Sequence, residues 1–210
     1  MPSNVAGIIL AGGQSRRMGR EKPLLDLGGR PVIAWIAEVL GQVFPEVIVV
    51  TNKPDQYAWL GLRTVSDVIK GQGPLAGIHA GLLAISRPQA VVVGGDMPFI
   101  RQEPLRRLCE LGSGYDIAVP SWRGLPEYVH ALYSRECIPH IEDCLASGER
   151  RIIALRDRVQ EIVIPAEKLT SVPEEIFFNI NKPADYLLAQ RIARRRLADD
   201  TDYRPGGSLQ

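Results

Sequence analysis

Three short runs rich in β-branched residues alternate with helical patterns in the first half of the chain, and they constrain its fold most strongly. The runs are Val5–Leu10, Val47–Thr51 and Gln89–Gly94, and each one ends in glycine or polar residues. Continuous apolar runs of this kind are typical of strands that are buried on both faces of a parallel sheet. The helical pattern of residues 31–41 must then cross over one face of that sheet. The sequence therefore predicts the α/β class: a single-domain Rossmann-like sandwich with a mostly parallel sheet flanked by helices.

The remainder of the chain extends this pattern without a linker or a repeat. Residues 115–135 predict antiparallel strands beside the parallel core, and Pro23–Leu27 predicts a short extended piece. A final helix is expected over 184–195. We expect one domain over residues 1–198 and a disordered tail over 199–210, since that tail is polar and contains proline and glycine.

A glycine-rich loop follows the first strand and runs from Leu10 to Lys22. Gly12 and Gly13 allow the backbone to approach a ligand closely, and inward-pointing N–H groups there would suit phosphate oxygens. The loop also carries four basic residues: Arg16, Arg17, Arg20 and Lys22. The spacing matches neither the Walker motif nor the dinucleotide fingerprint. The loop predicts a nucleotide-phosphate site, and the alternative is a tight strand-to-helix turn with exposed basic residues.

Asp96 is the carboxylate whose position in the sequence points most specifically to a functional role. It follows the apolar run Gln89–Gly94 and precedes Met97-Pro98, which places it at the carboxyl edge of a strand. Ligands of open α/β sheets bind at that edge. An aspartate there can hold Mg²⁺ while phosphates and water fill the other positions. The alternative, an N-cap for the helix near Glu103, is disfavoured because Asp96 lies too early in the chain.

The loop L-A-G-G-x-S-x-R-M-G-x-x-K resembles that of nucleotidyltransferases that transfer a nucleoside monophosphate onto a phosphate. Within that group it is most similar to the molybdenum cofactor guanylyltransferases. Three further strings support the resemblance: G-D-x-P at Asp96, G-P-L-A-G at Gly73–Gly77, and F-x-N-x-N-x-P around Asn179. Glu21 stands where the family often has aspartate. The resemblance covers most of the chain and implies a fold of the nucleotide-diphospho-sugar transferase type.

The resemblance also implies roles for individual residues. The implied catalytic residues are Lys22, Arg17 and Asp96, with Asp96 as the Mg²⁺ ligand. The implied nucleotide-binding residues are Leu10, Ala11, Gly12, Gly13, Lys22, Asn52, Asp67, Gly73, Pro74, Leu75 and Asp96. The implied acceptor-binding residues are Asn179 and Asn181, which alternate and so face one side of an extended segment.

Several of these residues also have a structural interpretation. Asn52 suits a turn before Lys-Pro, and the two asparagines could cap the final helix. Ala76 and Gly77 could serve helix–sheet packing, and Arg16 or Arg17 could form only a surface ion pair. These alternatives stay open at the level of sequence.

The resemblance implies transfer of GMP from GTP to the phosphate of molybdopterin carrying molybdenum, with pyrophosphate as the second product. No nucleophile with a partnering base is recognisable, and none is needed, since the acceptor phosphate can attack directly. Cytidylyl transfer to molybdopterin and nucleotidyl transfer to a sugar phosphate are alternatives, as is a non-catalytic nucleotide-binding module. Gly12 and G-P-L-A-G favour guanine, because cytidylyl relatives usually have L-A-A-G.

Composition limits the possible partners. A charged fraction of 23% and a net charge of +1 argue against nucleic-acid binding and against a membrane anchor. Three cysteines without C-x-x-C spacing, and no signal peptide, predict a cytoplasmic protein. The expected partners are GTP, molybdopterin and the molybdoenzymes that receive the product.

Overall fold

The computed structural model has an eight-stranded sheet at the centre of the fold, with helices on both of its faces. It describes residues 2–12, 21–69 and 71–199, and the side chains of these as far as residue 196. The strands are β1 Val5–Leu10, β2 Val47–Val50, β3 Arg63–Val65, β4 Gln89–Gly94, β5 Ile117–Trp122, β6 Leu125–Pro126, β7 His130–Ser134 and β8 Glu161–Pro165. The helices are α1 Val32–Gly41, α2 Pro74–Ala84, α3 Gln102–Leu111, α4 Cys137–Ala146, α5 Pro173–Ile176 and α6 Pro183–Asp199.

The strand order is β3-β2-β1-β4-β7-β5-β6, with β8 paired to β5. The pairs among β3, β2, β1 and β4 are all parallel, whereas β7 runs antiparallel to both β4 and β5. β8 returns to a parallel pairing with β5. The predicted α/β class is confirmed, as is the antiparallel addition near residues 115–135.

Alternate residues of the central strands supply two separate core layers. Ile9 of β1 packs in the layer beneath α1 and α3, whereas Ile8 packs in the layer beneath α2 and α4. Val93 and Val92 of β4 divide in the same way. All four side chains are fully buried. The parallel strands therefore need apolar residues at every position, which explains their unbroken β-branched sequence.

Helix α2 lies unusually close to the sheet because its side chains are small. A Cβ built on Gly81 would come within 2.8 Å of the Ile8 side chain, which is closer than real contacts allow. Glycine at this position therefore lets the helix approach β1. The start of α2 is held close to the sheet edge for the same reason.

Three details differ from the sequence prediction. Lys22–Leu24 forms a 3₁₀ turn in place of the start of an extended piece, because Pro23 suits the first turn of a helix. A short strand, β6, lies within the predicted loop 121–127 and forms a hairpin with β5. Helix α6 continues through Asp199, the first residue of the predicted tail. The other tail residues, 200–210, lie outside the described part of the chain. No helix in the described ranges is long and apolar enough to cross a membrane.

Candidate nucleotide-binding site

Four loops begin at one edge of the sheet, at the carboxyl ends of the parallel strands. The register pairs Leu10 with both Val50 and Gly94, and it pairs Val50 with Val65. The segments that follow these four residues therefore start side by side. This is the edge where open α/β sheets bind ligands, and it carries most of the predicted site residues.

Lys22, Asp96 and Asn181 meet at this edge although they lie far apart in sequence. The Lys22 ammonium donates to Asp96 Oδ2 at 3.0 Å and to Asn181 Oδ1 at 2.7 Å. The side chains of Lys22 and Asp96 are 20% and 24% exposed, so solvent reaches the pair only in part. A predicted catalytic residue, a predicted metal ligand and a predicted acceptor-binding residue thus form one contact group, which we call the Lys22 group.

Backbone contacts and two glycines fix the position of Asp96. Gly95 N donates to Leu10 O at 3.0 Å, and Ile180 N donates to Asp96 O at 3.0 Å. A Cβ on Gly94 would lie 2.9 Å from Asp96 Oδ1, and one on Gly95 would lie 3.0 Å from Leu10 O. Two consecutive glycines are therefore needed before the aspartate for steric reasons. This explains why the buried strand ends in Gly-Gly-Asp.

Asn52 and Asp67 form a second contact group. Asn52 Nδ2 donates to Asp67 Oδ2 at 2.8 Å, and Asp67 N donates to Asn52 Oδ1 at 3.3 Å. Asn52 is exposed and Asp67 is half-buried. A Cβ on Gly77 would lie 3.7 Å from Asp67 Oδ1, so the first turns of α2 run beside this pair. The interpretation of Asn52 as only a local turn residue leaves this reciprocal pairing unexplained.

The segment Gly73-Pro74-Leu75 starts helix α2. Gly73 has φ +73°, which favours glycine, and Pro74 follows in the first turn. Both residues are exposed, whereas Leu75 is fully buried in the core. The side chain of Leu75 thus does not line the site, because it is the first residue of α2 to point at the sheet. Ala76 is 1% exposed and packs in the same layer, which agrees with its structural interpretation.

Asn179 and Asn181 differ in their contacts. Asn181 accepts from Lys22, whereas Asn179 Nδ2 donates to the carbonyl of Phe177 two residues earlier, at 3.1 Å. The start of α6 is bridged by Asp185, which accepts from Asn181 N and Lys182 N at 2.9 Å each. The Asp185 side chain, and not either asparagine side chain, therefore caps the start of the final helix.

A third contact group was not anticipated from the sequence. The Tyr57 hydroxyl donates to Glu21 Oε2 at 2.8 Å, and Glu21 Oε1 accepts from the Lys53 ammonium. Burial raises the pKa of Tyr57 far above its ordinary value, and the hydrogen bond to Glu21 adds to that shift. The phenol therefore stays protonated and remains a donor. We call Glu21, Lys53 and Tyr57 the Tyr57 cluster; no motif in the sequence links these three positions.

Part of the predicted loop falls outside the described residues. Gly13 and Arg17 lie there, as do Arg16 and Arg20. Gly12 is described, and a Cβ built on it would meet nothing within 4 Å. Among the described residues, therefore, no neighbouring atom requires glycine at this position.

The side chains at this edge of the sheet can be compared with the ligands that Mg²⁺ prefers. Asp96 Oδ1 lies over Gly94, where the missing side chain leaves room. Within the described ranges, no group of three or more His, Cys, Asp or Glu side chains could hold a metal ion. Mg²⁺ commonly binds through one or two carboxylates and keeps water and phosphate oxygens as its other ligands. The residues thus fit an ion that Asp96 holds together with a nucleotide, and not a cage of protein ligands.

Comparison with known proteins places the chain among nucleotidyltransferases. The family model described as MobA-like NTP transferase domain matches residues 7–162. A probable molybdenum cofactor guanylyltransferase from Pelotomaculum thermopropionicum is 41% identical over 189 residues, which are 89% of this chain and 92% of that protein. A molybdenum cofactor guanylyltransferase from Desulfosudis oleivorans is 32% identical over 181 residues, which are 84% of this chain and 90% of that protein. The crystal structure of molybdopterin-guanine dinucleotide biosynthesis protein A from Archaeoglobus fulgidus matches with a TM-score of 0.79 at 31% identity. That match covers 90% of this chain and 99% of that one.

Proposed function

Since the chain belongs to the MobA-like NTP transferase family, we propose that it transfers GMP from GTP to the phosphate of molybdenum-carrying molybdopterin. The products are molybdopterin guanine dinucleotide and pyrophosphate. The names of its relatives support this choice of substrates. The single observation that carries the proposal is the Lys22 group, in which one ammonium contacts both Asp96 and Asn181.

The reaction is a direct displacement at the α-phosphorus of GTP. An oxygen of the acceptor phosphate forms the new P–O bond, and the bond to the bridging oxygen of pyrophosphate breaks. Lys22 lies where its ammonium can offset the charge that develops on the α-phosphoryl oxygens and on pyrophosphate. Asn181 accepts from the Lys22 ammonium in addition to Asp96, which limits the orientations of the flexible lysine side chain.

Dependence on Mg²⁺ is part of the proposal. Asp96 would hold the ion, and the ion would supply charge neutralisation on the phosphates of GTP. The Asn52–Asp67 pair and the start of α2 at Gly73 supply polar groups for the nucleoside end of GTP.

A cytoplasmic setting and a recipient protein complete the proposal. Cys109, Cys137 and Cys144 are all free, as is usual in a reducing compartment. The acceptor is sensitive to oxidation, which favours transfer of the product directly to a molybdoenzyme.

Pyrophosphate release from GTP in the presence of molybdopterin tests the proposal, with CTP as the competing nucleotide. We expect GTP to be consumed faster than CTP. We also expect Asp96→Ala to lower kcat about 10²- to 10³-fold, as is usual when a charge-stabilising group is removed. Asp143→Ala is the matched control, since Asp143 lies on α4 with a 70% exposed side chain.

Each alternative function has its own outcome in this assay. Faster use of CTP would reject guanine. Binding of GTP without pyrophosphate release by the wild type would favour the non-catalytic module. An unchanged kcat in Asp96→Ala would remove Asp96 from the reaction.

A further inference from the structure

Tyr57 reaches the glycine loop from the segment that follows β2. Its side chain is fully buried, and its ring packs in the core layer beneath α1. The hydroxyl lies 2.8 Å from Glu21 Oε2 and 3.5 Å from the carbonyl oxygen of Ala11. One rigid, buried group therefore touches two points of the chain that are ten positions apart.

These two points are the ends of the glycine loop. Ala11 directly follows β1 and precedes Gly12, and its N–H donates to Val50 O at 2.9 Å. Glu21 directly precedes Lys22, whose ammonium enters the Lys22 group. The hydroxyl of Tyr57 thus donates its single proton to the residue beside the lysine and lies within 3.5 Å of the residue at the start of the loop.

Glu21 makes the second connection in this cluster. Its other carboxylate oxygen forms an ion pair with Lys53, the neighbour of Asn52. The side chain of Glu21 is 20% exposed, so its charge is partly withdrawn from solvent. The Tyr57 cluster therefore links the loop of Lys22 to the loop after β2, which carries Asn52.

We propose that Tyr57 is a positioning residue of the transfer reaction: through its hydrogen bond to Glu21 it fixes the position of the neighbouring Lys22. The inference rests on the proposed function for its kinetic part only. Tyr57 touches no reacting atom and acts through Glu21, so its hydroxyl should matter for kcat far more than for the binding of either substrate. A tyrosine needed only for core packing would not depend on its hydroxyl in this way.

A second buried tyrosine provides a matched control. Tyr133 is also fully buried, and its hydroxyl donates to the Tyr128 carbonyl at 2.7 Å, in the other core layer. Tyr57→Phe and Tyr133→Phe each remove one hydrogen-bonded hydroxyl and keep the ring. We expect both variants to fold and to lose a comparable amount of thermal stability.

Only Tyr57→Phe should change the reaction. We expect its kcat to fall about tenfold, the usual effect of losing a hydrogen bond to a charged group. The KM values for GTP and molybdopterin should change much less than kcat. In the Glu21→Ala background, Tyr57→Phe should cause almost no further loss, because its partner is already absent. Equal kcat values in the two tyrosine variants, or additive losses with Glu21→Ala, would overturn the proposal.

Amide hydrogen exchange without substrates separates this proposal from the proposed function. Exchange at the N–H groups of Leu24 and Leu25, which donate to the carbonyls of Glu21 and Lys22, should be faster in Tyr57→Phe than in Tyr133→Phe, whichever nucleotide the protein uses. If the wild type releases no pyrophosphate but this difference is present, the proposed function fails and the positioning role of Tyr57 stands. If exchange at Leu24 and Leu25 is the same in both variants, the positioning role fails.

Discussion

The Lys22 ammonium forms an ion pair with Asp96, the carboxylate that we assign to the metal. Lys22 and a divalent cation should therefore compete for Asp96. Replacing Lys22 with methionine keeps an unbranched side chain of similar length and removes its charge. Without nucleotide, we expect Lys22→Met to bind Mn²⁺ more tightly than the wild type does, although the same variant should be a poorer catalyst. When a nucleotide is bound, Lys22 can contact its phosphates instead of Asp96. The competition between Lys22 and the cation should then be weaker.

The size of the effect follows from the geometry of the pair. At 3.0 Å, the attraction of two unit charges is about 1.4 kcal/mol in bulk water and about 5.5 kcal/mol at an effective dielectric constant of about 20. The side chains are 20% and 24% exposed, so the real environment lies between these limits. Desolvation of both groups offsets most of the larger value. A net effect of about 1–2 kcal/mol corresponds to a gain in Mn²⁺ affinity of roughly five- to thirtyfold.

Titration of the nucleotide-free protein with Mn²⁺, followed by electron paramagnetic resonance, measures this affinity directly. Lys168→Met is the matched control, because Lys168 is an exposed lysine in the 3₁₀ turn Ala166–Lys168. Asp96→Asn should abolish the binding that Lys22→Met strengthens. Equal or weaker Mn²⁺ binding by Lys22→Met would refute the competition.

Three further predictions concern single positions. Gly12→Ala should leave the melting temperature unchanged, since a Cβ there meets no atom of the described residues within 4 Å. It should shift nucleotide preference toward CTP in a competition assay, and unchanged preference would contradict the role of Gly12. Asn181→Ala should lower kcat about tenfold by releasing the Lys22 ammonium, whereas Asn4→Ala, at an exposed asparagine before β1, is the control and should leave kcat unchanged. Burial lowers the pKa of His130 to about 4, so its contribution to stability is fully present above about pH 6.5 and is lost as the pH falls toward 4. His130→Leu should therefore remove about 3 kcal/mol of pH dependence in urea unfolding between these values, and an unaltered pH profile would contradict the assignment.

The fold could be predicted because its determinants are local. Strands β1, β2 and β4 are buried on both faces, so each one is visible as an unbroken apolar run. The crossover helix α1 has clear helical periodicity. β6 has no such pattern, because a two-residue strand at the end of the sheet buries almost nothing: Leu125 is 67% exposed.

The site residues could be predicted from the sequence only where they lie within a short sequence motif. The positions of Lys22 and Asp96 follow from the strands that precede them, and the structure brings both to one edge of the sheet. The Tyr57 cluster could not be predicted, because Tyr57 and Glu21 are 36 positions apart and meet only through the tertiary fold. The role implied for Leu75 stays a prediction: helix geometry directs its side chain into the core, so a contact with nucleotide would involve its backbone.

The contacts of the segment around Ile180 limit where residues can be inserted into the chain or deleted from it. Ile180 N bonds to the carbonyl of Asp96, and the very next side chain, Asn181, contacts Lys22. Inserting or deleting one residue between these two contacts would break at least one of them. An insertion beside Ser171, an exposed residue of the connection between β8 and α5, disturbs neither contact. Length changes should therefore be tolerated before α5 and be rejected between Ile180 and Asn181, even though both places lie outside regular secondary structure.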